Sequence, residues 1–147
     1  MEGWKSLIEV KPIGFVVRED SLEDESKVVL AEEFAEGLDG IEGFSHVYVI
    51  FWLHKVKNRE RRVLKVHPRG RRDLPLVGVF ATRSPMRPNP IGLTLVELVE
   101  RKGNVLVVRG LDAFDGTPVL DIKPCVSETA GRKFRFPDWL VRLKAEP

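Results

Sequence analysis

Two short stretches of the chain carry most of the side chains that could do chemistry. The first, ATRSPMRPNPIG (81–92), places Arg83 and Arg87 among three prolines. Proline fixes φ and removes an amide donor, so this loop is stiff before it meets a ligand and loses little entropy on binding one. Arg83 could then hold a carboxylate or a phosphate through two parallel hydrogen bonds. The alternative is a rigid connection between strands that contains a structural arginine.

The second stretch, GLDAFDGTPVLDIKP (110–124), groups Asp112, Asp115 and Asp121 around an Asp-Gly turn. Asp115 precedes the glycine and suits the turn itself. The other carboxylates have no evident local role. They could accept hydrogen bonds from a ribose or an amine, or remove a proton from a reacting group. A purely structural loop with three aspartates is the alternative.

The charges of the chain are unevenly distributed. Residues 1–44 carry 12 acidic and 4 basic side chains, a net charge of −8, whereas residues 55–72 carry nine basic and one acidic, a net charge of +8. A segment that is so rich in cations predicts contact with a polyanion. A solvated surface excursion is the alternative.

Several classes of site are not supported by the motifs. The chain lacks the G-x-x-x-x-G-K-[ST] phosphate loop, and GLDGIEG (37–43) lacks the context of a dinucleotide-binding turn. His46, His54 and His67 are not spaced as metal ligands. A single cysteine excludes an internal disulfide, and no apolar run is long enough to span a bilayer. We expect a cytoplasmic protein with no metal and no membrane contact.

The segments on either side of these loops have mostly the apolar patterns of β-strands. Alternating or continuous apolar runs predict strands at 8–17, 27–34, 45–55, 61–68, 74–83, 92–101, 104–113 and 117–124. A short helical turn is expected within 37–44 and a short helix at 136–143. The pattern predicts a mainly β protein, an antiparallel barrel of about seven strands with one or two short helices, in a single domain over residues 1–147.

The strand SHVYVIFWLHK (45–55) is apolar on both faces. A barrel strand normally keeps one face wet. The second face is therefore expected to be covered, either by the C-terminal segment or by a second subunit. We favour a homodimer, with two-sided burial inside one chain as the alternative.

Four segments of the chain resemble the TsaA-like (TrmO) family. They are PIGFVVRE, SHVYVIFWLHK, FATRSPMRPNPIGLTLVEL and GLDAFDGTPVLDIKP, and the string R-S-P-x-R-P-N-P-I-G is highly specific. The resemblance implies a homodimeric β-barrel that uses S-adenosyl-L-methionine to methylate tRNA. The methylated atom would be N6 of the threonylcarbamoyladenosine at position 37, beside the anticodon. The family usually has tyrosine after DIKP, where this chain has Cys125.

The resemblance also implies a set of site residues. The cofactor would be bound by Pro12, Ile13, Gly14, His54, Lys55, Arg83, Leu93, Asp112, Ala113, Phe114 and Asp115. The candidates for the base that takes the proton from N6 are Asp115, Asp121 and His54. The cations of 55–72 would contact phosphates of the tRNA anticodon stem-loop. Two alternatives stay open: a barrel that binds a nucleotide or RNA without chemistry, and a methyltransferase for another RNA or a small amine.

Overall fold

The structure, a computed structural model, describes residues 2–19, 24–127 and 131–145. Within these residues the chain forms eight strands: β1 (Gly14–Val17), β2 (Glu25–Leu30), β3 (His46–Trp52), β4 (Lys65–Val66), β5 (Val77–Gly78), β6 (Ile91–Lys102), β7 (Val105–Arg109) and β8 (Pro118–Pro124). Short 3-10 helices lie at Glu2–Lys5, Glu32–Leu38, Ile41–Gly43, Asn58–Arg62, Pro68–Gly70 and Val79–Ala81. One α-helix, α1 (Asp138–Ala145), follows.

Six of the strands close into a barrel. Their order is β1-β2-β7-β6-β3-β8, and every neighbouring pair is antiparallel. The predicted mainly β antiparallel barrel is therefore confirmed. Two of the predicted strands, β4 and β5, lie outside the barrel and pair with each other in a separate two-stranded sheet.

The barrel interior is filled by residues that alternate along the strands. In β3, Val47, Val49 and Phe51 are buried, and Tyr48 and Ile50 between them are half-buried. Burying each such side chain contributes about 1.5–3 kcal/mol. The interior consists of Val16, Val28, Leu30, Leu38, Val47, Val49, Phe51, Val96, Leu106, Val108, Leu111, Ala113 and Val119.

Two glycines are required by close packing inside the barrel. A Cβ at Gly92 would collide with the ring of Phe51. A Cβ at Gly14 would collide with the carbonyl oxygen of Val29 and lie 2.8 Å from the Cα of Leu30. Gly14 therefore has a structural reason to be glycine, whatever binds beside it.

The strands predicted at 61–68 and 74–83 are reduced to two residues each. β4 pairs Lys65 with Gly78 and Val66 with Val77, and Pro68 lies two residues beyond Val66. Proline cannot donate to a ladder, which limits extension of the pair. Arg69 then takes a left-handed φ of 52°, which turns the chain away. Because β4 and β5 pair over only two residues each, much of the two predicted strands forms loops instead.

The chain divides into two compact units. One unit comprises Met1–Lys55 and Ile91–Cys125 and contains the barrel; the other comprises Val56–Pro90 and Val126–Pro147 and contains β4, β5 and α1. The single domain expected over residues 1–147 stays a prediction. Among the described helices, none has the length and apolar character needed to cross a bilayer.

Candidate functional site

The loop between β7 and β8, residues 110–117, packs over the barrel interior. Leu111, Ala113 and Thr117 are buried, whereas Asp112 and Phe114 are exposed. The alternation directs the apolar side chains into the core and the carboxylate and the aromatic ring toward solvent. Thr117 N donates to the carbonyl of Phe114 at 3.1 Å, which tightens the turn around Gly116 (φ +78°).

Arg18, which directly follows β1, holds this loop in place. Its Nη1 donates to the carbonyl oxygens of Leu111 at 2.6 Å and Ala113 at 3.3 Å. Its backbone amide donates to Oδ1 of Asp115 at 2.8 Å. One residue therefore ties three points of the loop to the end of β1.

A second tie joins the loop to β6. The hydroxyl of Thr94 donates to Oδ1 of Asp112 at 2.6 Å. Thr94 pairs with Val49 in the barrel, so the rigid β3–β6 ladder fixes the position of the Asp112 carboxylate. The conformation of the loop is thus set by the barrel before any ligand binds.

Lys55 and His54 emerge beside this loop at the end of β3. The Lys55 ammonium lies 3.9 Å from the centroid of the Phe114 ring, a cation–π contact. The backbone amide of His54 bonds to the carbonyl of Trp52 at 2.9 Å. Within the described residues, the exposed imidazole of His54 has no hydrogen-bond partner. His54, Lys55 and the loop therefore meet in one region.

Asp121 and Leu93 lie on the outer face of the barrel instead. Both are cross-strand neighbours of Ile50, on either side of β3. The Asp121 carboxylate accepts a hydrogen bond from the amide of Ile122 at 2.9 Å and pairs with Lys123 at 3.2 Å. Both of its oxygens are therefore engaged.

Pro12, Ile13 and Gly14 run alongside β8. The amide of Ile13 donates to the carbonyl of Val119 at 2.8 Å, and Gly14 pairs with Val119 in the ladder. Pro12 is exposed and Ile13 packs against the core. These residues thus border the same strand that carries Asp121.

In the other compact unit, the proline-rich loop is held by its own side chains. Nη2 of Arg87 donates to the carbonyl oxygens of Val79 at 2.7 Å and Thr82 at 2.9 Å. Nε of Arg61 donates to the carbonyl of Pro88 at 2.8 Å. The hydroxyls of Thr82 and Ser84 accept from the amides two residues on, at 3.1 and 3.2 Å. Arg87 is the structural arginine of this loop.

Arg83 is left available by this arrangement. It is exposed, and its guanidinium makes no hydrogen bond or ion pair with any described residue. Asn89 is exposed as well. A stiff loop thus presents a guanidinium whose five donors are open to a ligand.

The basic segment 55–72 is not uniformly open. Lys55 stacks on Phe114, Arg61 binds Pro88, and Arg71 pairs with Asp73. Hydrogen bonding by Arg71 holds the pKa of Asp73 below its usual value of 3.8. The other cations of the segment are exposed: Lys57, Arg59, Arg62, Lys65, Arg69 and Arg72.

The geometry sorts the residues that the sequence analysis put forward. One group lies together at the end of the barrel: His54, Lys55, Asp112, Ala113, Phe114 and Asp115. A second group lies along β8, β3 and β6: Pro12, Ile13, Gly14, Leu93 and Asp121. Ala113 can offer only its backbone, because its side chain is buried. Arg18 and Thr94 were missed. The only signal for Arg18 is a lone arginine at the end of an apolar strand in an acidic region.

No group of three or more His, Cys, Asp or Glu side chains that could hold a metal ion occurs in residues 2–19, 24–127 and 131–145. We call His54, Lys55 and the loop 110–117 the barrel-end region. Its side chains are suited to an organic ligand. An aromatic ring, two carboxylates and a lysine lie there within a few residues.

Comparison with known proteins gives a consistent result. Residues 18–130 match the model of the tRNA-methyltransferase O N-terminal domain. A probable S-adenosyl-L-methionine-binding protein of Methanothermobacter thermautotrophicus is 48% identical over 128 residues, covering 80% of this chain and 89% of that protein. The tRNA (adenine(37)-N6)-methyltransferase of Mus musculus is 47% identical over 91 residues, 62% of this chain and 21% of the mouse protein.

Solved structures agree with the sequence relatives. A crystal structure of TrmO matches with a TM-score of 0.68 and 32% identity, covering 90% of this chain and 64% of that one. A crystal structure of TrmO from Pseudomonas aeruginosa matches with a TM-score of 0.64 and 30% identity, covering 86% and 60%. The chain therefore spans less than two thirds of these solved chains and about a fifth of the mouse enzyme.

Proposed function

Since the chain belongs to the tRNA-methyltransferase O family, we propose that it is an S-adenosyl-L-methionine-dependent tRNA methyltransferase acting on N6 of the threonylcarbamoyladenosine at position 37. The single observation that carries this proposal is the match of residues 18–130 to the family model, on a closed barrel of the same fold. The names of the relatives supply the cofactor and the kind of substrate.

The side chains of the barrel-end region fit the parts of S-adenosyl-L-methionine. Phe114 offers an aromatic face to the adenine, and the carboxylates of Asp112 and Asp115 suit ribose hydroxyls or a positively charged centre. When bound, the cofactor supplies an activated methyl group. The task of the protein is then to align the donor with the acceptor nitrogen.

Arg83 suits a carboxylate such as that of S-adenosyl-L-methionine. Its guanidinium is exposed and has no partner among the described residues. A planar fork of donors binds a carboxylate through two hydrogen bonds. Because the loop around it is already held by Arg87 and Arg61, the ordering cost on binding is small.

A base must take the proton from a carbamoylated N6, which is a weak nucleophile. Among the three candidates, Asp121 has both oxygens engaged, whereas Asp115 uses only Oδ1, with Arg18, among the described residues. The open Oδ2 of Asp115 and the imidazole of His54 are the better-placed proton acceptors. Asp115→Asn keeps the acceptor for Arg18 and removes the base, so kcat should fall about 100-fold or more, a loss that exceeds any loss of cofactor affinity. Asp121→Asn is the matched control, and a larger loss there would reverse this ranking.

For the substrate, the exposed cations of 57–72 contact phosphates of the tRNA anticodon stem-loop. Such contacts position the RNA without reading its sequence. The affinity for tRNA should therefore fall steeply with salt, and a flat response between low and moderate salt would remove the segment from the interface.

A homodimer completes the proposal. The outer face of β3 and β6 carries Tyr48, Ile50 and Trp52 opposite Leu95, Leu93 and Ile91. Leu93 and Leu95 are 48% and 46% exposed. A contiguous apolar face of this kind is typical of an interface with a second copy. Analytical sedimentation of the wild type should give twice the mass of one chain. The Leu93→Lys variant should sediment with the mass of a single chain.

Incubation with labelled cofactor and purified tRNA tests the enzyme proposal. Label should enter tRNA that carries threonylcarbamoyladenosine at position 37 and not the same tRNA without that modification. Nucleoside mass spectrometry should show one added methyl group on the modified adenosine. Transfer to both tRNAs would point to another RNA target, and cofactor binding with no transfer would point to a binding module.

A further inference from the structure

A short segment between β8 and α1 combines cations and aromatic rings on the surface. Residues 131–136, GRKFRF, are all exposed, in neither helix nor strand. Phe134 and Phe136 are 59% and 54% exposed. Single exposed apolar residues need no explanation, but two phenylalanines separated by one arginine and preceded by two cations form a pattern.

The segment is anchored at its C-terminal end. The carbonyl of Pro137 accepts from the amide of Leu140 at 3.0 Å, which starts α1 directly after the segment. α1 in turn buries Leu143. Proline also favours an extended backbone at the residue before it, which is Phe136. The two rings therefore lie directly before an anchored helix.

The charge of the region is strongly positive. Residues 131–145 contain five basic side chains and one acidic side chain, Asp138, for a net charge of +4. The ammonium of Lys144 lies 5.7 Å from the centroid of the Phe136 ring, so even the helix contributes a cation beside the aromatic pair. Among polyanions, this favours one that also offers flat surfaces to the rings.

Single-stranded RNA meets both requirements. Arginine and lysine contact its phosphates, and phenylalanine rings stack on unpaired bases without regard to sequence. An acidic peptide would use the cations but not the rings, and a duplex would hide its bases. The same compact unit also contains the exposed cations of 57–72.

We propose that the GRKFRF segment binds the single-stranded part of the RNA substrate, with Phe134 and Phe136 stacking on bases while Arg132, Lys133 and Arg135 contact phosphates. The proposal rests on the proposed function in taking tRNA as the substrate. It adds a second contact with the RNA, which base stacking stabilises in addition to charge.

The test is fluorescence anisotropy with a labelled anticodon stem-loop and with oligouridine of similar length. The double variant Phe134→Leu/Phe136→Leu keeps apolar area and removes the flat rings. Affinity for both probes should fall at least about fivefold with an unchanged dependence on salt. Arg135→Ala should instead lower the slope of log K against log salt concentration by about 0.7. Val141→Ala, an exposed apolar residue on α1, is the matched control and should bind as the wild type.

Two outcomes would overturn the proposal. The first is unchanged RNA affinity in the double variant. The second is that the wild type and the leucine variant both bind phosphatidylserine vesicles, while the two proteins have the same affinity for RNA. The proposed function is scored separately, by methyl transfer with the wild type. If the wild type transfers methyl groups but RNA binding does not depend on the two rings, only the proposed role of the GRKFRF segment is rejected. If RNA binding depends on the rings but no methyl group is transferred, only the proposed enzymatic activity is rejected.

Discussion

The two loops that carry the candidate site residues are each held by an arginine, but they differ in what is left for a ligand. Arg18 binds two carbonyl oxygens of the 110–117 loop, and Arg87 binds two carbonyl oxygens at the start of the proline-rich loop. In the first loop the exposed carboxylates of Asp112 and Asp115 are also bonded to the protein. In the second loop Arg83 has no partner among the described residues.

This difference separates groups that shape a site from groups that bind. A carboxylate that already accepts a hydrogen bond keeps a fixed position and offers its remaining oxygen to a ligand. An arginine without a partner gives up no protein contact when a carboxylate arrives. We therefore expect the barrel-end loop to offer a ligand fixed geometry, and Arg83 of the proline-rich loop to offer a charge to an anion.

The largest expected effect belongs to Arg87→Met, which keeps the aliphatic stem and removes the donors. The carbonyl of Thr82 would lose its donor, which costs roughly 1–3 kcal/mol, whereas the carbonyl of Val79 keeps the amide and hydroxyl of Thr82 as donors. The midpoint of thermal unfolding should fall by about 2–4 °C for each kcal/mol, and cofactor affinity should fall with it because the Arg83 loop loosens. An unchanged midpoint would show that the prolines and the remaining hydrogen bonds of Arg61, Thr82 and Ser84 hold the loop without Arg87.

Arg18→Met is the matched change in the other loop and should have a smaller effect on stability. The buried side chains of Leu111 and Ala113 still anchor the loop after Arg18 is lost. Cofactor affinity should fall by about tenfold, since the loop must then be ordered on binding. Thr94→Val, which removes only the bond to Asp112, should cost less than this by calorimetry. Equal losses in the two variants would remove the special role of Arg18.

The smallest effect is expected at Arg71 and Asp73, where an arginine meets a carboxylate on the surface. The hydrogen bond from Arg71 lowers the pKa of Asp73 in the folded protein. Its stabilisation is therefore present above the usual carboxyl pKa and is lost as pH falls through the lowered value. Urea unfolding at about pH 5 and about pH 3 should show a slightly steeper loss for the wild type than for Asp73→Asn. Parallel losses would mean that this pair contributes nothing.

Much of the barrel could be predicted from the sequence, because its strands obey local rules. The continuous apolar run in 45–55 and the alternation in 92–101 set element type, and the turn at Gly103 joins the paired strands β6 and β7. Predictions were less accurate at 61–68 and 74–83, where apolar runs suggested long strands. There, Pro68 and the left-handed Arg69 end the pairing after two residues.

The candidate site was less accessible to sequence reasoning. The prominent motifs identified Arg83 and the aspartates, whose chemistry is visible in the residue types. Arg18 lies 93 residues from Leu111, whose carbonyl it binds, and no periodicity encodes such a bond. Long-range side-chain contacts to backbone depend on how strands are brought together, which only the folded chain shows.

The most direct test of this account is calorimetric titration of S-adenosyl-L-methionine into the wild type and Arg83→Ala, with the decarboxylated cofactor as the matched ligand. Arg83→Ala should unfold at the wild-type temperature, bind S-adenosyl-L-methionine about tenfold to 100-fold more weakly, and bind the decarboxylated ligand as the wild type does. Equal affinities of the two proteins for S-adenosyl-L-methionine would contradict the account.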